Sequence, residues 1–227
     1  MSKNSESQPR SRSNTVSRAV TVFANGNPVL IFDADDREGE VDIVYPAESV
    51  TAADVARLRN DAGGLVCVAL AHEVTEPFNL PFLDEAIDHP TTNARPDYDA
   101  RSSFSLPVNH RDTYTGITDE DRELTIACLA VAAAAPETTD FAAEFRSPGH
   151  VHLLRAAQGL LSERRGHTEL GIALARAAGV APAVVVCEML DDETGSALSR
   201  TDARKYANRN GLQFVTGREI VERLGEE

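Results

Sequence analysis

Six carboxylates fall within ten residues at Asp33–Asp42 (DADDREGEVD). Like charges about 4 Å apart repel by about 1 kcal/mol in water, and by more when partly buried. A cluster this dense between two apolar runs therefore suggests a cation partner. Glu38 and Glu40 flank Gly39, and in an extended segment both side chains point to one face. Oxygen donors of this kind suit Mg²⁺ or Mn²⁺. An EF-hand loop starting at Asp33 is excluded, because Glu38 stands where the turn glycine belongs and Val44 where the closing Glu belongs. The alternative is a solvated acidic hairpin.

A second segment, Glu163–Glu169 (ERRGHTE), leads into an apolar helical pattern. Free amides and the positive end of the helix dipole favour an anion at such a point. Arg164 and Arg165 add charge-assisted donors, and Thr168 adds a hydroxyl and a cap, so the segment fits a phosphate site. His167 has the chemistry of a metal ligand or an acid–base group. The alternative is capping by Thr168 and Glu169 with a solvent-facing histidine.

Three further residues stand out. Glu188 interrupts an apolar run, Ala183–Leu190 (AVVVCEML), and a buried acid needs a partner or a raised pKa. Its alternative is a strand-end carboxylate that reaches water. His150 follows Pro148-Gly149, a turn rigid enough to aim it. Cys67 and Cys187 lie in strand-like runs and Cys128 in a helical one, where each reads as a small buried hydrophobe. No CxxC spacing occurs, which argues against a disulfide scaffold or a zinc ribbon. Thr115–Thr118 with Asp121-Arg122 reads as capping, and His72, His89, His110 and His152 show no usable spacing. GxGxxG, GxxxxGK[ST], GxSxG and HExxH are all absent, which removes the commonest nucleotide, acyl-transfer and zinc-peptidase readings.

The elements that must position these groups are readable in part. Strands are expected at Val29–Asp33, Val41–Ala47, Gly64–Leu70, Phe104–Val108, Ala183–Leu190 and Leu212–Thr216. Helices are expected over 52–62 after Thr51, from Thr118 to about Ala134, from Thr168 through Ala178, over Thr201–Asn210 and over Arg218–Leu224. Residues 144–152 read as a loop, and 72–115 are the least readable stretch. The Ser-rich segment 1–15 reads as a disordered tail ahead of one domain over 16–227, with order beginning near Val16. Strands and helices intermix without a regular βαβ count. The expectation is therefore a single three-layer α+β domain, a mixed sheet flanked by helices, whose strand order periodicity cannot supply.

The chain has 227 residues and a formal net charge of -14, so nucleic acid and anionic membrane surfaces are poor partners. No apolar run is long enough to span a bilayer and no signal peptide is recognisable, so a cytoplasmic location is expected. Lys3 and Lys205 are the only lysines beside a large excess of carboxylates. That composition suits a salt-rich cytoplasm, where screening suppresses self-repulsion. A halophilic protein is expected, whose fold loosens below about 0.5 M salt.

Taken together and in order, several stretches resemble one family. They are DDREGEVD (Asp35–Asp42), DAGGLVC (Asp61–Cys67), NHRDTYTGITDEDR (Asn109–Arg122), FRSPGHVHLLRA (Phe145–Ala156), RRGHTE (Arg164–Glu169) and VCEML (Val186–Leu190). The family is 3,4-dihydroxy-2-butanone-4-phosphate synthase of riboflavin biosynthesis, in its archaeal-type single-domain form, and the similarity runs from about Val20 to the carboxyl end. The resemblance implies a lyase that converts D-ribulose 5-phosphate to L-3,4-dihydroxy-2-butanone 4-phosphate and formate. It also implies Mg²⁺ or Mn²⁺ and a homodimer with active sites near the interface. By position, Glu38, Glu40 and His167 match metal ligands. Arg37, Glu38, Asp42, Glu188 and the turn Arg164, Arg165, Gly166, His167, Thr168 match substrate-binding positions, although Arg165 is not a fixed part of the pattern. His150, Glu188 and Asp42 match catalytic positions, and Cys67 a supporting one.

The implied chemistry accounts for that inventory. The sugar ketone loses a proton beside its carbonyl to give an enediol, the C1 hydroxyl leaves, the skeleton rearranges, and C4 departs as formate. Negative charge builds on neighbouring oxygens, and proton traffic needs several bases. Two other classes compete: a sugar-phosphate or divalent-ion binding module without turnover, and a metal-dependent isomerase that stops at the enediol.

Overall fold

The structure, a computed structural model, describes residues 9–93, 97, 99 and 101–225. Helix α1 (Pro9–Ala24) turns into β1 (Val29–Phe32), which the acidic turn joins to β2 (Val41–Pro46). Thr51 then caps α2 (Ala52–Arg57) in a reciprocal box with Asp54, and the helix runs on through a wider turn to Ala62. There follow β3 (Cys67–Leu70), short helices α3 (His72–Thr75) and α4 (Leu83–Ala86), and β4 (Phe104–His110). Next come α5 (Asp119–Ala134), α6 (Phe141–Glu144), β5 (Phe145–Arg155), α7 (His167–Ala178) and β6 (Ala183–Glu188). The chain closes with α8 (Arg200–Asn210), β7 (Gln213–Thr216) and α9 (Gly217–Leu224).

The strands form one mixed sheet in the order β4-β5-β3-β6-β2-β1-β7. Pairs β1/β7 and β3/β5 are parallel and the others antiparallel. Every residue of β1, β2 and β3 is buried, as expected for central strands covered on both sides. Helices α1, α7 and α9 pack together against the sheet, and α2 packs with α5. The period of two along β6 shows that these are opposite faces: Val184 meets Gly171 of α7, whereas the Cys187 thiol faces the Leu58 carbonyl at the end of α2. Val186 and Glu188 therefore share the α7 face. Asp42 joins them, since it pairs with Glu188 in register and stands two residues from Val44, which also meets Gly171. This is the three-layer α+β arrangement expected from the sequence.

Two expectations are corrected. The segment 144–152 is not a loop, because β5 runs through it between β4 and β3. Pro148 misled the reading: it sits at the break in register between Val108↔Val151 and Asn109↔Arg146, where a missing N–H costs no ladder bond. The tail is shorter than expected, since α1 begins at Pro9. Val16, Ala19, Val20 and Phe23 form an apolar stripe that packs on α7 and α9, and helix propagates upstream of it. Residues 1–8 of the expected tail lie outside the described residues. Among the described residues no helix is long and apolar enough to cross a membrane.

Candidate active site

The acidic turn is braced from its first residue. The Asp33 carboxylate accepts the Glu38 and Glu40 amides, each at 3.1 Å, and Arg37 lies 3.6 Å from the same carboxylate. Gly39 takes φ +69°, a left-handed conformation that only glycine adopts freely. The segment is thus curled rather than extended. This corrects the expectation that Glu38 and Glu40 simply share a strand face.

His167 opens α7 and is 6% exposed. Its Nε2 lies 3.1 Å from the Ile31 carbonyl. A carbonyl only accepts, so Nε2 carries a proton and donates it there, and that bond fixes the ring. Nδ1 is left facing the Glu38 carboxylate at 3.6 Å and the Asp42 carboxylate at 3.6 Å. The two distant acidic and imidazole segments therefore meet at one point. Asp33, Glu38 and His167 offer ligand atoms within 4.8 Å of one another. Glu40 is outside that group, and Asp33, which the sequence reading left as part of the turn, is inside it.

The electrostatics describe a place short of positive charge. Burial raises the Asp42 pKa well above its usual range, the neighbouring Glu188, Glu38 and Glu40 add to this, and His167 opposes it. Burial alone would lower His167, but Asp42, Glu38 and Asp33 outweigh it and hold the ring at about 9. The His167 ring beside it pulls Glu38 down against burial, with help from Arg37 and Arg164. Burial first, then Glu38 and Glu188, raises Glu40. One Asp42 carboxylate oxygen is buried without any hydrogen-bond partner. Such an orphan acceptor beside clustered carboxylates and a ring nitrogen fits a hard divalent cation.

Around this point lies a small cleft lined by Glu38, Asp42, Cys67, Arg164, Thr168 and Glu188, among others. Glu188 ends β6 with its carboxylate accepting the Leu65 amide at 2.8 Å. Gly64 permits that approach, because a Cβ there would stand 2.5 Å from the Glu188 carbonyl and carboxylate oxygens. The Cys67 thiol is buried, which raises its pKa strongly, with Glu188 and Asp42 adding to the effect. Arg164 is held by fully buried Glu169 at 2.7 Å and by Asp99 at 2.7 Å, and Arg37 reaches the same Asp99 oxygen at 3.1 Å. A carboxylate thus already sits between the two arginines, which is what a pair arranged for an anion would accept.

The start of α7 differs from the expected capping. Its N-cap is Gly166 and no side chain caps it; Thr168 lies inside the first turn, buried. The first amides of α7 therefore remain available near Arg164. Arg165 points away from the cleft and lines a separate cavity. His150 is also apart: it is exposed on β5, bonded to Asn109 through its amide at 2.8 Å and its ring at 3.2 Å, and does not line this cleft. Sequence reasoning missed Asp99, Glu169 as the partner of Arg164, and the place of Asp33 beside Glu38 and His167. Asp33 alone had a visible signal, as the first carboxylate of the cluster. Asp121 turns out to be structural, accepting the Tyr114, Thr115 and Gly116 amides.

Comparison with known proteins gives the family. Residues 17–223 match the family model described as 3,4-dihydroxy-2-butanone 4-phosphate synthase. Proteins of that name from Archaeoglobus fulgidus and Methanosarcina mazei are 50% and 47% identical, covering 90% and 91% of this chain and 91% and 90% of their own. A crystal structure of a 3,4-dihydroxy-2-butanone 4-phosphate synthase in complex with two magnesium ions superposes with a TM-score of 0.81 at 32% identity, covering 93% of this chain and 96% of that one. The chain belongs to the 3,4-dihydroxy-2-butanone 4-phosphate synthase family and is an enzyme of riboflavin biosynthesis, a lyase.

Proposed function

We propose that this chain converts D-ribulose 5-phosphate to L-3,4-dihydroxy-2-butanone 4-phosphate and formate at the cleft between the acidic turn and the start of α7. The observation that carries the reading is the meeting of Glu38 and His167 at 3.6 Å beside Asp42 and Glu188. A divalent cation, Mg²⁺ or Mn²⁺, would be held by Glu38 and His167 with Asp33, and Glu40 stands beside them as a further acidic group. When bound, it supplies Lewis-acid stabilisation to the negative charge that develops on the sugar oxygens.

The chain's own groups do the rest. Arg164, Arg37 and the free amides of α7 bind the phosphate, which replaces Asp99 between the guanidiniums. Glu188 or Asp42 takes the C3 proton, giving the 2,3-enediol from which the C1 hydroxyl can leave. Asp42 has a buried oxygen with no competing hydrogen bond, and Glu188 is aimed into the cleft by the Leu65 amide. Cys67 packs beneath them as a neutral thiol. His150 assists a later proton transfer, and because it is exposed outside the cleft of its own chain it does so across a homodimer interface. The exposed apolar side chains Tyr114, Ile117 and Val131, on the neighbouring β4–α5 segment, support a partner surface there.

The test is purified protein with ribulose 5-phosphate, Mg²⁺ and high KCl, with formate followed by NMR. Formate release at a rate that Glu188→Gln abolishes is expected. Proton exchange beside the carbonyl without formate would make the protein an isomerase, and neither would leave a binding module.

A further inference from the structure

A second cavity lies apart from the cleft described above. About 810 Å³ in volume, it lies behind the acidic turn and is bounded by Phe32, Arg165, Arg200, Arg204, Gly217 and Arg218, with the 33–37 turn as one wall. That size is typical of small-molecule sites. Five arginines line it, Arg37 of the turn among them, a high density for a chain of charge -14.

Five carboxylates also line it, equal in number to the arginines, but most of them are engaged elsewhere or point to solvent, as exposed Asp36 does. Glu219 turns back to cap α9, accepting the Thr216 amide at 2.9 Å and hydroxyl at 2.8 Å. Glu222 holds Arg218 at 2.8 Å. Asp33 braces its own turn. Asp35 is 87% exposed and reaches Arg200 only at 3.9 Å. Among the described residues, Arg165 and Arg204 have no ion-pair partner within 4.0 Å; Arg165 spends one N–H on the Leu161 carbonyl. Two of the guanidiniums are held by aromatic faces instead, Arg200 over Phe32 at 4.7 Å and Arg204 over Phe214 at 4.1 Å. Burial and the charge of Arg200 push the Arg204 pKa down, and Glu219 opposes them without reversing the shift. The amino end of α9, at Gly217 and Arg218, faces the same space.

We propose that this cavity is a second anion site, taking a small molecule with a phosphate or diphosphate group, of about mononucleotide size. The net charge of the chain disfavours a polyanionic macromolecule. The guanidiniums, fixed by Phe32 and Phe214, form the phosphate end, and Phe32 and Val221 offer an apolar wall to the remainder. The site stands back to back with the catalytic cleft across the Asp33–Arg37 turn, and it does not depend on the reaction assigned to that cleft.

The test is calorimetric titration of the full chain with inorganic pyrophosphate and with ADP, in metal-free buffer at fixed KCl. Saturable binding is expected. Arg200→Gln/Arg204→Gln should weaken it by about tenfold or more, the loss of two charge-assisted contacts, with basal turnover retained. Arg204→Lys, which keeps the charge, should retain most of the affinity, and thermal melts confirm that the variants fold. Arg164→Gln should leave binding unchanged. No saturable binding to the wild-type protein, or a loss that follows Arg164→Gln rather than the double variant, overturns the proposal.

Discussion

The Arg164–Glu169 pair gives a test of the site's architecture that needs no substrate. The two side chains meet at 2.7 Å, Glu169 fully buried and Arg164 17% exposed. At an effective dielectric of about 20, that separation corresponds to roughly 6 kcal/mol of attraction, most of it offset by desolvation. The two ends of the pair are not equivalent. Arg164→Gln leaves Glu169 with a single donor, the Ala157 amide at 3.0 Å, in a place water does not reach. A buried charge stripped of its partner costs about 3–5 kcal/mol. Glu169→Gln leaves Arg164 with Asp99 at 2.7 Å and some solvent, and an amide oxygen can still accept from Ala157. That change should cost about 1–3 kcal/mol. The double variant should be more stable than the sum of the two losses by about 0.5–3 kcal/mol. Urea unfolding of the metal-free protein at fixed KCl measures all four corners. At about 2–4 °C per kcal/mol for a chain of this size, Arg164→Gln should also lower the melting temperature by roughly 10 °C. Additive losses, or a Glu169→Gln cost equal to or above that of Arg164→Gln, would refute the asymmetry and with it the reading of Glu169 as the buried anchor.

Other measurements bear on the cleft itself. His167 holds its proton up to about 9 in the metal-free protein, so a cation at Nδ1 must displace that proton. Mg²⁺ affinity should therefore fall as pH drops below about 9, approaching tenfold per unit, with proton release seen in calorimetry across buffers; a flat profile would exclude Nδ1 as a ligand. The Cys67 and Cys187 thiols, both pushed up by burial, should resist iodoacetamide in the folded protein at mildly alkaline pH and react on unfolding. Rapid labelling of Cys67 would show that the cleft opens further than its packing indicates. Mixing inactive His150→Ala with inactive Glu188→Gln subunits should restore part of the formate release if His150 serves the partner's cleft, since a mixed dimer then holds one intact site. No recovery in confirmed mixed dimers would return His150 to its own chain.

The amino-acid sequence by itself determined the chemistry of this protein and the local elements that carry it. Carboxylate density at 33–42, arginines ahead of a helix start, and an acid ending an apolar strand are statements about residue type and spacing, and each survived folding. Thr51, Thr118 and the apolar periods of two and 3.6 placed most elements, because caps and periodicity act over a few residues. Strand order did not follow, since pairing β6 with both β2 and β3 depends on which buried faces meet, and many orders satisfy the same local patterns. Nor was β5 legible, where Pro148 reads as a breaker but lies at a register break supplied by β4. The meeting of Asp33 with Glu38 and His167, the anchoring of Arg164 by Glu169 and Asp99, and the departure of Arg165 to another cavity were decided only in three dimensions. Those are contacts between segments far apart in the chain, and a side chain's partner is set by where the backbone carries it.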